Sequence, residues 1–78
     1  MSGNDVLMPK LSEAMEDGVV ASWLKVDGDR VAAGEALAEI ETDKATMVYE
    51  SPYAGVVETF VEVGEVVPIG APIARINT

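Results

Sequence analysis

The chain has 78 residues, the size of one small domain, and its 14 acidic and 5 basic side chains give a net charge of −9. This negative charge repels phosphate backbones and anionic membrane surfaces, which argues against nucleic-acid and membrane-surface roles. The sequence contains no cysteine, so disulfides, zinc–thiolate sites and thiol catalysis are excluded and the fold must close by packing. No apolar run reaches the roughly 20 residues of a membrane span, and the polar start is not a signal peptide.

Short β-branched and apolar runs, separated by Gly, Pro and Asp turns, predict strands throughout. Residues 1–5 are interpreted as a polar leader. Residues 10–17, between Pro9 and Gly18, are too few for a stable helix and are interpreted as an ordered loop. The predicted strands are 6–8, 19–26, 30–31, 36–42, 45–51, 56–63, 66–67 and 73–76.

The second half of the chain repeats the first. The first part of the pattern recurs 37 positions later, from Gly55 onward, and comprises Gly18, Val20, Trp23, Leu24 and Val26. The first half then has one extra residue at Asp27. The rest of the pattern recurs 36 positions later, from Gly64 onward, and comprises Gly28, Val31, Gly34, Leu37 and Ile40. Two copies are too few for a solenoid, and short strands without helices favour a closed or sandwiched β structure. The halves differ in one loop, because the stretch from Pro9 to Gly18 is six residues longer than that from Pro52 to Gly55.

The repeat also predicts the core, formed where apolar side chains of the two related sheets face each other. Trp23 and Phe60 are left unassigned, because both faces of their strands are apolar. The predicted core residues are Val20, Leu24, Val31, Leu37, Ile40, Val57, Val61, Val67, Ile73 and Ile76.

Asp43 and Lys44 lie at the centre of a predicted two-residue hairpin. Such loops favour residues that tolerate positive φ, so lysine at the second position breaks the local rule, and broken rules often mark functional residues. An exposed amine at a hairpin tip is accessible for covalent modification, although most lysines in such places are only solubilising charges. Negative neighbours such as Glu41 favour the ammonium form, which argues against a catalytic lysine.

The motif Glu41-Thr42-Asp43-Lys44-Ala45-Thr46, with Gly28-Asp29 upstream and Gly55-Val56-Val57 downstream, resembles the lipoyl domains of 2-oxo acid dehydrogenase complexes over residues 5–77. The resemblance implies an all-β fold, a flattened barrel-sandwich of two four-stranded antiparallel sheets related by a pseudo-two-fold axis. It implies covalent lipoate on Lys44. It also implies a non-catalytic carrier that moves acyl groups and reducing equivalents between active sites.

The family pattern further assigns recognition roles. Glu41 and Gly28 correspond to residues that lipoylating enzymes recognise, and Asp43 and Ala45 flank the lysine as in lipoyl domains. The loop at 10–17 corresponds to the segment that partner dehydrogenases recognise, and its Leu11, Ser12 and Met15 resemble the pyruvate type. Leu11 and Met15 could equally serve to pack this loop onto the barrel.

The implied partners are a lipoate ligase or lipoyl transferase, a thiamine-diphosphate 2-oxo acid dehydrogenase, an acyltransferase core and a dihydrolipoamide dehydrogenase. We expect a monomeric domain, an N-terminal module of a longer acyltransferase chain, in the bacterial cytoplasm or in the mitochondrial matrix of a eukaryote. The alternative carrier is a biotinyl domain, which usually places methionine on both sides of its lysine. A β domain without a prosthetic group is a further alternative, whereas an enzyme is disfavoured because histidine is absent.

Overall fold

The computed structural model describes residues 3–42 and 44–78, and this part of the chain folds into strands joined by turns and loops. None of its segments is a helix long and apolar enough to cross a membrane. The strands are β1 (Gly3–Leu7), β2 (Asp17–Trp23), β3 (Arg30–Val31), β4 (Ala36–Glu41), β5 (Thr46–Glu50), β6 (Gly55–Thr59), β7 (Val66–Pro68) and β8 (Pro72–Asn77).

The strands form two four-stranded antiparallel sheets, in the orders β1-β8-β6-β3 and β5-β4-β2-β7. One apolar cluster lies between them, and strands β4 and β8 contribute most of its fully buried side chains. The predicted all-β sandwich of two four-stranded antiparallel sheets is therefore confirmed.

The two sheets are related by the internal repeat. Replacing β2, β3, β4 and β5 by β6, β7, β8 and β1 converts the strand order of one sheet into that of the other. Hydrogen bonds follow the same rule: the Gly28 amide donates to the Val57 carbonyl at 2.9 Å, and the Gly64 amide donates to the Val20 carbonyl at 3.0 Å. The predicted pseudo-two-fold relation thus extends from topology to individual turns.

The extra residue of the first half lies at Ala21, not at Asp27 as the sequence comparison placed it. β2 pairs with β4 with a register shift between Val20 and Ser22, whereas the corresponding pairing of β6 with β8 is regular. A bulge of this kind inserts one residue and reverses the faces of those that follow it. The structural equivalent of Leu24 is therefore Phe60, as their matching amide bonds to Leu37 and Ile73 show.

This bulge makes one core prediction wrong, and a second core prediction, for a residue outside the bulged half, is only partly correct. Leu24 is 44% exposed, like its equivalent Phe60 at 43%, and Val61 is half-buried. The other eight predicted core residues are buried. Trp23 is half-buried against the core and donates its indole N–H to the Val61 carbonyl at 3.1 Å, while the Phe60 ring lies under the Arg75 guanidinium.

Five buried core residues were not predicted from the sequence, and backbone irregularities explain two of them. β4 shifts register between Ala36 and Ala38, and β8 is paired at Pro72 and Ala74 but not at the residue between them. Strict alternation fails at such bulges, so adjacent residues can face the same side. The missed residues are Val6, Met8, Met15, Ala38 and Ala74.

Several predicted boundaries were also wrong. Residues 3–5 of the predicted leader belong to β1, since Gly3 pairs with Asn77 and Asp5 with Arg75; residues 1 and 2 lie outside the described part of the chain. β2 and β6 end three and four residues early, at Trp23 and Thr59, because the segments that follow fold into turns.

Leu37→Ala should lower the free energy of unfolding by about 2–5 kcal/mol, because it leaves a cavity at a fully buried position. Leu24→Ala is the matched control and should cost less than about 1 kcal/mol, because that side chain is largely in solvent. Urea unfolding of both variants measures the difference. Equal losses would contradict the bulge-shifted register of β2.

Asp27 links the turn after β2 to the end of β6. Its carboxylate accepts hydrogen bonds from the Thr59 amide and hydroxyl, and the backbone bond, followed by the hydroxyl bond, lowers the pKa of Asp27 below its ordinary value of 3.8. A lowered folded-state pKa adds stability above the unfolded-state pKa, and this stability is lost as the pH falls through the folded-state value.

Asp27→Asn should therefore reduce the loss of folding stability that the wild-type protein shows as the pH falls. Urea midpoints of wild type and variant should differ near neutral pH and converge as the pH falls through the lowered pKa of Asp27, where the wild-type carboxyl becomes protonated. A midpoint difference that persisted unchanged into acid would show that the charge of Asp27 is not what stabilises this link.

Candidate functional site

Lys44 lies on the turn that joins β4 to β5, the two strands at one edge of their sheet. Glu41 pairs with Thr46, and inside this pair the Thr42 amide donates to the Ala45 carbonyl at 2.8 Å. The hairpin tip, residues 42–45, therefore has two central positions, as predicted. Lys44 occupies the second and is exposed, while Asp43 lies outside the described residues.

The backbone of Lys44 does not break the turn rule that first drew attention to it. Among the described residues, every positive φ belongs to a glycine. Lys44 therefore avoids the left-handed conformation that a type I′ turn imposes on both central residues. The prediction of an exposed lysine at the tip is confirmed, but the argument from local strain was wrong.

The Thr42 hydroxyl closes the hairpin tip, and sequence reasoning gave it no role. Its Oγ1 accepts hydrogen bonds from the amides of Lys44 at 3.2 Å and Ala45 at 3.0 Å, and donates to the Ala45 carbonyl at 2.8 Å. Serine and threonine at the start of a turn commonly bond backbone groups two and three residues later, which is the signal that could have identified Thr42.

The longer loop of the first half lies next to the base of this hairpin. The segment from Ala14 to Val19 and the pair Glu41 and Thr42 line one open groove with a volume of about 450 Å³. Glu16, Asp17 and Glu41 place three exposed carboxylates around it. The structure thus brings the 10–17 loop and the hairpin tip to the same end of the sheet.

Leu11, Ser12 and Met15 face the barrel more than the solvent. The Met15 side chain is buried, Leu11 packs against the core, and the Leu11 amide donates to the Met15 sulfur at 3.3 Å. Ser12 Oγ is buried with no hydrogen-bond partner among the described residues. These three residues shape the loop from within, so the exposed loop residues are left to form its outer surface.

Gly28 does not lie beside Lys44. It follows the end of β2 at Trp23, whereas Glu41 pairs with Val19 near the other end of that strand. Gly28 is exposed, has φ of +90° and bonds to Val57 of the opposite sheet. Its conformation alone explains why glycine is needed there.

The tip can accept a carboxylic acid as an amide without disturbing the fold. Lys44 and Ala45 are both exposed, so acylation of Nζ displaces no packed side chain. The ion pairs between described residues, Lys25 with Glu35 and Arg75 with Asp5, lie elsewhere. An exposed amine on a closed turn therefore fits a covalently attached carrier group.

Comparison with known proteins gives a consistent result. A biotin/lipoyl family model, described as "Biotin-requiring enzyme", matches residues 4–76. The solution structure of the lipoyl domain of the 2-oxoglutarate dehydrogenase complex from Azotobacter vinelandii superimposes with a TM-score of 0.77 at 32% identity, covering 95% of each chain.

Longer relatives match as well. A dihydrolipoyllysine-residue acetyltransferase component of the pyruvate dehydrogenase complex from Rickettsia typhi is 48% identical over 92% of this chain and 18% of its own length. A pyruvate dehydrogenase beta subunit from Rhizobium meliloti is 46% identical over 90% of this chain and 16% of its own. The chain spans less than a fifth of either relative. By fold and sequence, it belongs to the biotin/lipoyl family and is a lipoyl domain, a carrier type that holds lipoate covalently on a lysine.

Proposed function

We propose that Lys44 is the lipoylated residue and that the domain carries acyl groups and reducing equivalents between the active sites of a pyruvate dehydrogenase complex. The observation that carries this proposal is the exposed position of Lys44 at the apex of a hairpin whose backbone is closed on itself. The pyruvate assignment is supported by the relatives that are pyruvate dehydrogenase components.

The role of Lys44 is that of an attachment point. The Lys44 ammonium first loses a proton, and the neutral amine then attacks a lipoate carboxyl that the modifying enzyme has activated. An amide forms as the activating group and a second proton leave, so the modified side chain carries no positive charge. When attached, the dithiolane supplies the disulfide–dithiol chemistry of acyl and electron transfer. No other residue of the domain needs to act on the transferred group.

The folded domain provides a rigid attachment point for the flexible lysine and lipoyl chain. Lysine and lipoyl chain together extend roughly 14 Å from the backbone, at about 1.2 Å of progress per bond. The domain is 35 Å long, so its whole body must move for the arm to visit separate active sites. Tethering raises the local concentration of the carried group at each of them.

The proposed setting is a module of a longer acyltransferase chain, consistent with the much greater length of the relatives. Its partners would be a lipoate ligase or lipoyl transferase, the thiamine-diphosphate dehydrogenase, the acyltransferase core and dihydrolipoamide dehydrogenase. The three carboxylates around the groove at the lysine end would favour partners with basic surfaces. By itself, we expect the domain to be monomeric.

Lys44→Arg should abolish modification and leave stability within about 0.5 kcal/mol of wild type, because the side chain is exposed. Intact-mass measurement after incubation with lipoate, ATP and a lipoate ligase should show one added lipoyl group on wild type and none on the variant. Lys10→Arg, at an exposed lysine of the long loop, is the matched control and should be modified like wild type.

A lipoyl group retained on the Lys44→Arg variant would overturn the assignment of Lys44. No addition to folded wild type, with lipoate or with biotin and its ligase, would favour a β domain without a prosthetic group.

Replacing Asp43 and Ala45 together by methionine should raise biotinylation by a biotin ligase above the wild-type level, because methionine on both sides is the biotinyl pattern. Streptavidin blotting of equal amounts of folded protein measures the change. If biotinylation stayed at the wild-type level, the flanking residues would not set the choice of cofactor.

A further inference from the structure

The backbone conformation favoured in a two-residue hairpin loop is incompatible with an unstrained lysine at its second position. A two-residue loop with good strand twist normally uses residues with positive φ, such as Asn-Gly. Lys44 must be a lysine if it is to be modified, and its φ is not positive. The usual backbone geometry is therefore not what holds the turn closed.

The Thr42 hydroxyl reinforces the backbone hydrogen bond that closes the turn. A hydroxyl has one donor and two acceptor sites, and Thr42 Oγ1 uses all three on backbone groups of the tip, the amides of Lys44 and Ala45 and the carbonyl of Ala45. The Thr42 amide bonds the same carbonyl at 2.8 Å. The backbone on the C-terminal side of the lysine is thus tied to one side chain at the end of β4.

We propose that Thr42 is a positioning residue for the modification of Lys44, because its hydroxyl fixes the conformation of the tip that the lipoylating enzyme binds. The inference rests on the proposed lipoylation of Lys44 and extends it to a residue that does not react. Thr42 is half-buried and stands beside exposed amides, so loss of the hydroxyl lets water replace its bonds. The fold then survives, but the tip samples other conformations.

A mobile tip lowers the fraction of domain that is ready to bind. Apparent affinity falls in proportion to that fraction, and the enzyme must order the tip on binding. The chemistry at Nζ is unchanged once the tip is bound. The loss should therefore appear in KM, with kcat close to that of wild type.

The test compares Thr42→Val, which keeps the shape and removes the hydroxyl, with Thr42→Ser, which keeps the hydroxyl. Initial rates of lipoyl transfer by a purified lipoate ligase, measured against domain concentration, should give Thr42→Val a KM roughly three- to tenfold above wild type. Thr42→Ser should restore the wild-type value. Amide exchange at Lys44 and Ala45 should accelerate in Thr42→Val and remain slow in Thr42→Ser.

Two controls separate this effect from others. Thr46→Val removes a threonine hydroxyl from the same hairpin outside the turn and should be modified like wild type. Thr42→Ala removes the same hydroxyl as Thr42→Val with a smaller side chain and should show the same loss, so the result does not depend on one variant. Urea unfolding should show that all four variants are folded, with only a small and equal decrease in midpoint for Thr42→Val and Thr42→Ala, which lose the hydroxyl bonds.

The inference would be overturned by a wild-type KM in Thr42→Val or Thr42→Ala, or by a Thr42→Ser variant as slow as Thr42→Val. A wild-type domain that is not lipoylated at Lys44 is a different result, because it would contradict both the proposed function and this inference. If wild type were modified at Lys44 and the Thr42 variants had the same KM as wild type, only the inference about Thr42 would be wrong.

Discussion

Burial of one apolar layer between the two sheets is the constraint on which the rest of the structure depends. With 78 residues and no cysteine, the protein has no covalent cross-link and little core to spare. The centre of that layer lies in β4 and β8, where Leu37, Ile40, Ile73 and Ile76 are fully buried. Lys44 comes four residues after Ile40, so a fully buried side chain anchors β4, the strand that leads into the lysine turn. The lysine can then be held in place without being packed.

The duplicated fold uses equivalent positions for different purposes. The β4–β5 hairpin corresponds to the β8–β1 pair, where Asn77 and Gly3 are partners. At that end a groove of about 830 Å³ is lined by Ala54, Gly55 and Val56 with the end of β8. Its counterpart at the lysine end is about 450 Å³ and is bordered by the longer 10–17 loop. The extra residues of that loop therefore distinguish the end that carries the amine from its structural equivalent.

The sequence predicted the architecture because a repeat constrains many residues at once. Shared glycines and apolar positions established two related sheets, and a lysine between two strand-like runs established the hairpin. Single-residue irregularities could not be predicted from the alternation of apolar and polar residues. The bulge at Ala21 turned Leu24 outward. Bulged pairing in β4 and β8 buried Ala38 and Ala74 next to the buried residues that precede them. The pattern of strands correctly placed Lys44 on an exposed hairpin tip, and the sequence motif is the basis for proposing it as the modified residue. It could not show that Gly28 lies beyond the far end of β2, since sequence spacing carries no information about distance across a sheet.

The proposed lipoylation of Lys44 offers a physical explanation for the threonine at the tip. A left-handed backbone costs a non-glycine residue roughly 1–2 kcal/mol, so the favoured hairpin turn is expensive for any lysine at its second position. A hydrogen bond contributes about 0.5–1.5 kcal/mol net, and less where water competes, so three bonds from one hydroxyl are of the same order as the cost avoided. The hydroxyl therefore allows the lysine to keep an ordinary φ in a closed turn. Because these bonds involve backbone atoms and no side-chain atom of Lys44, the proposed recognition surface and the proposed carrier arm can be built from adjacent residues.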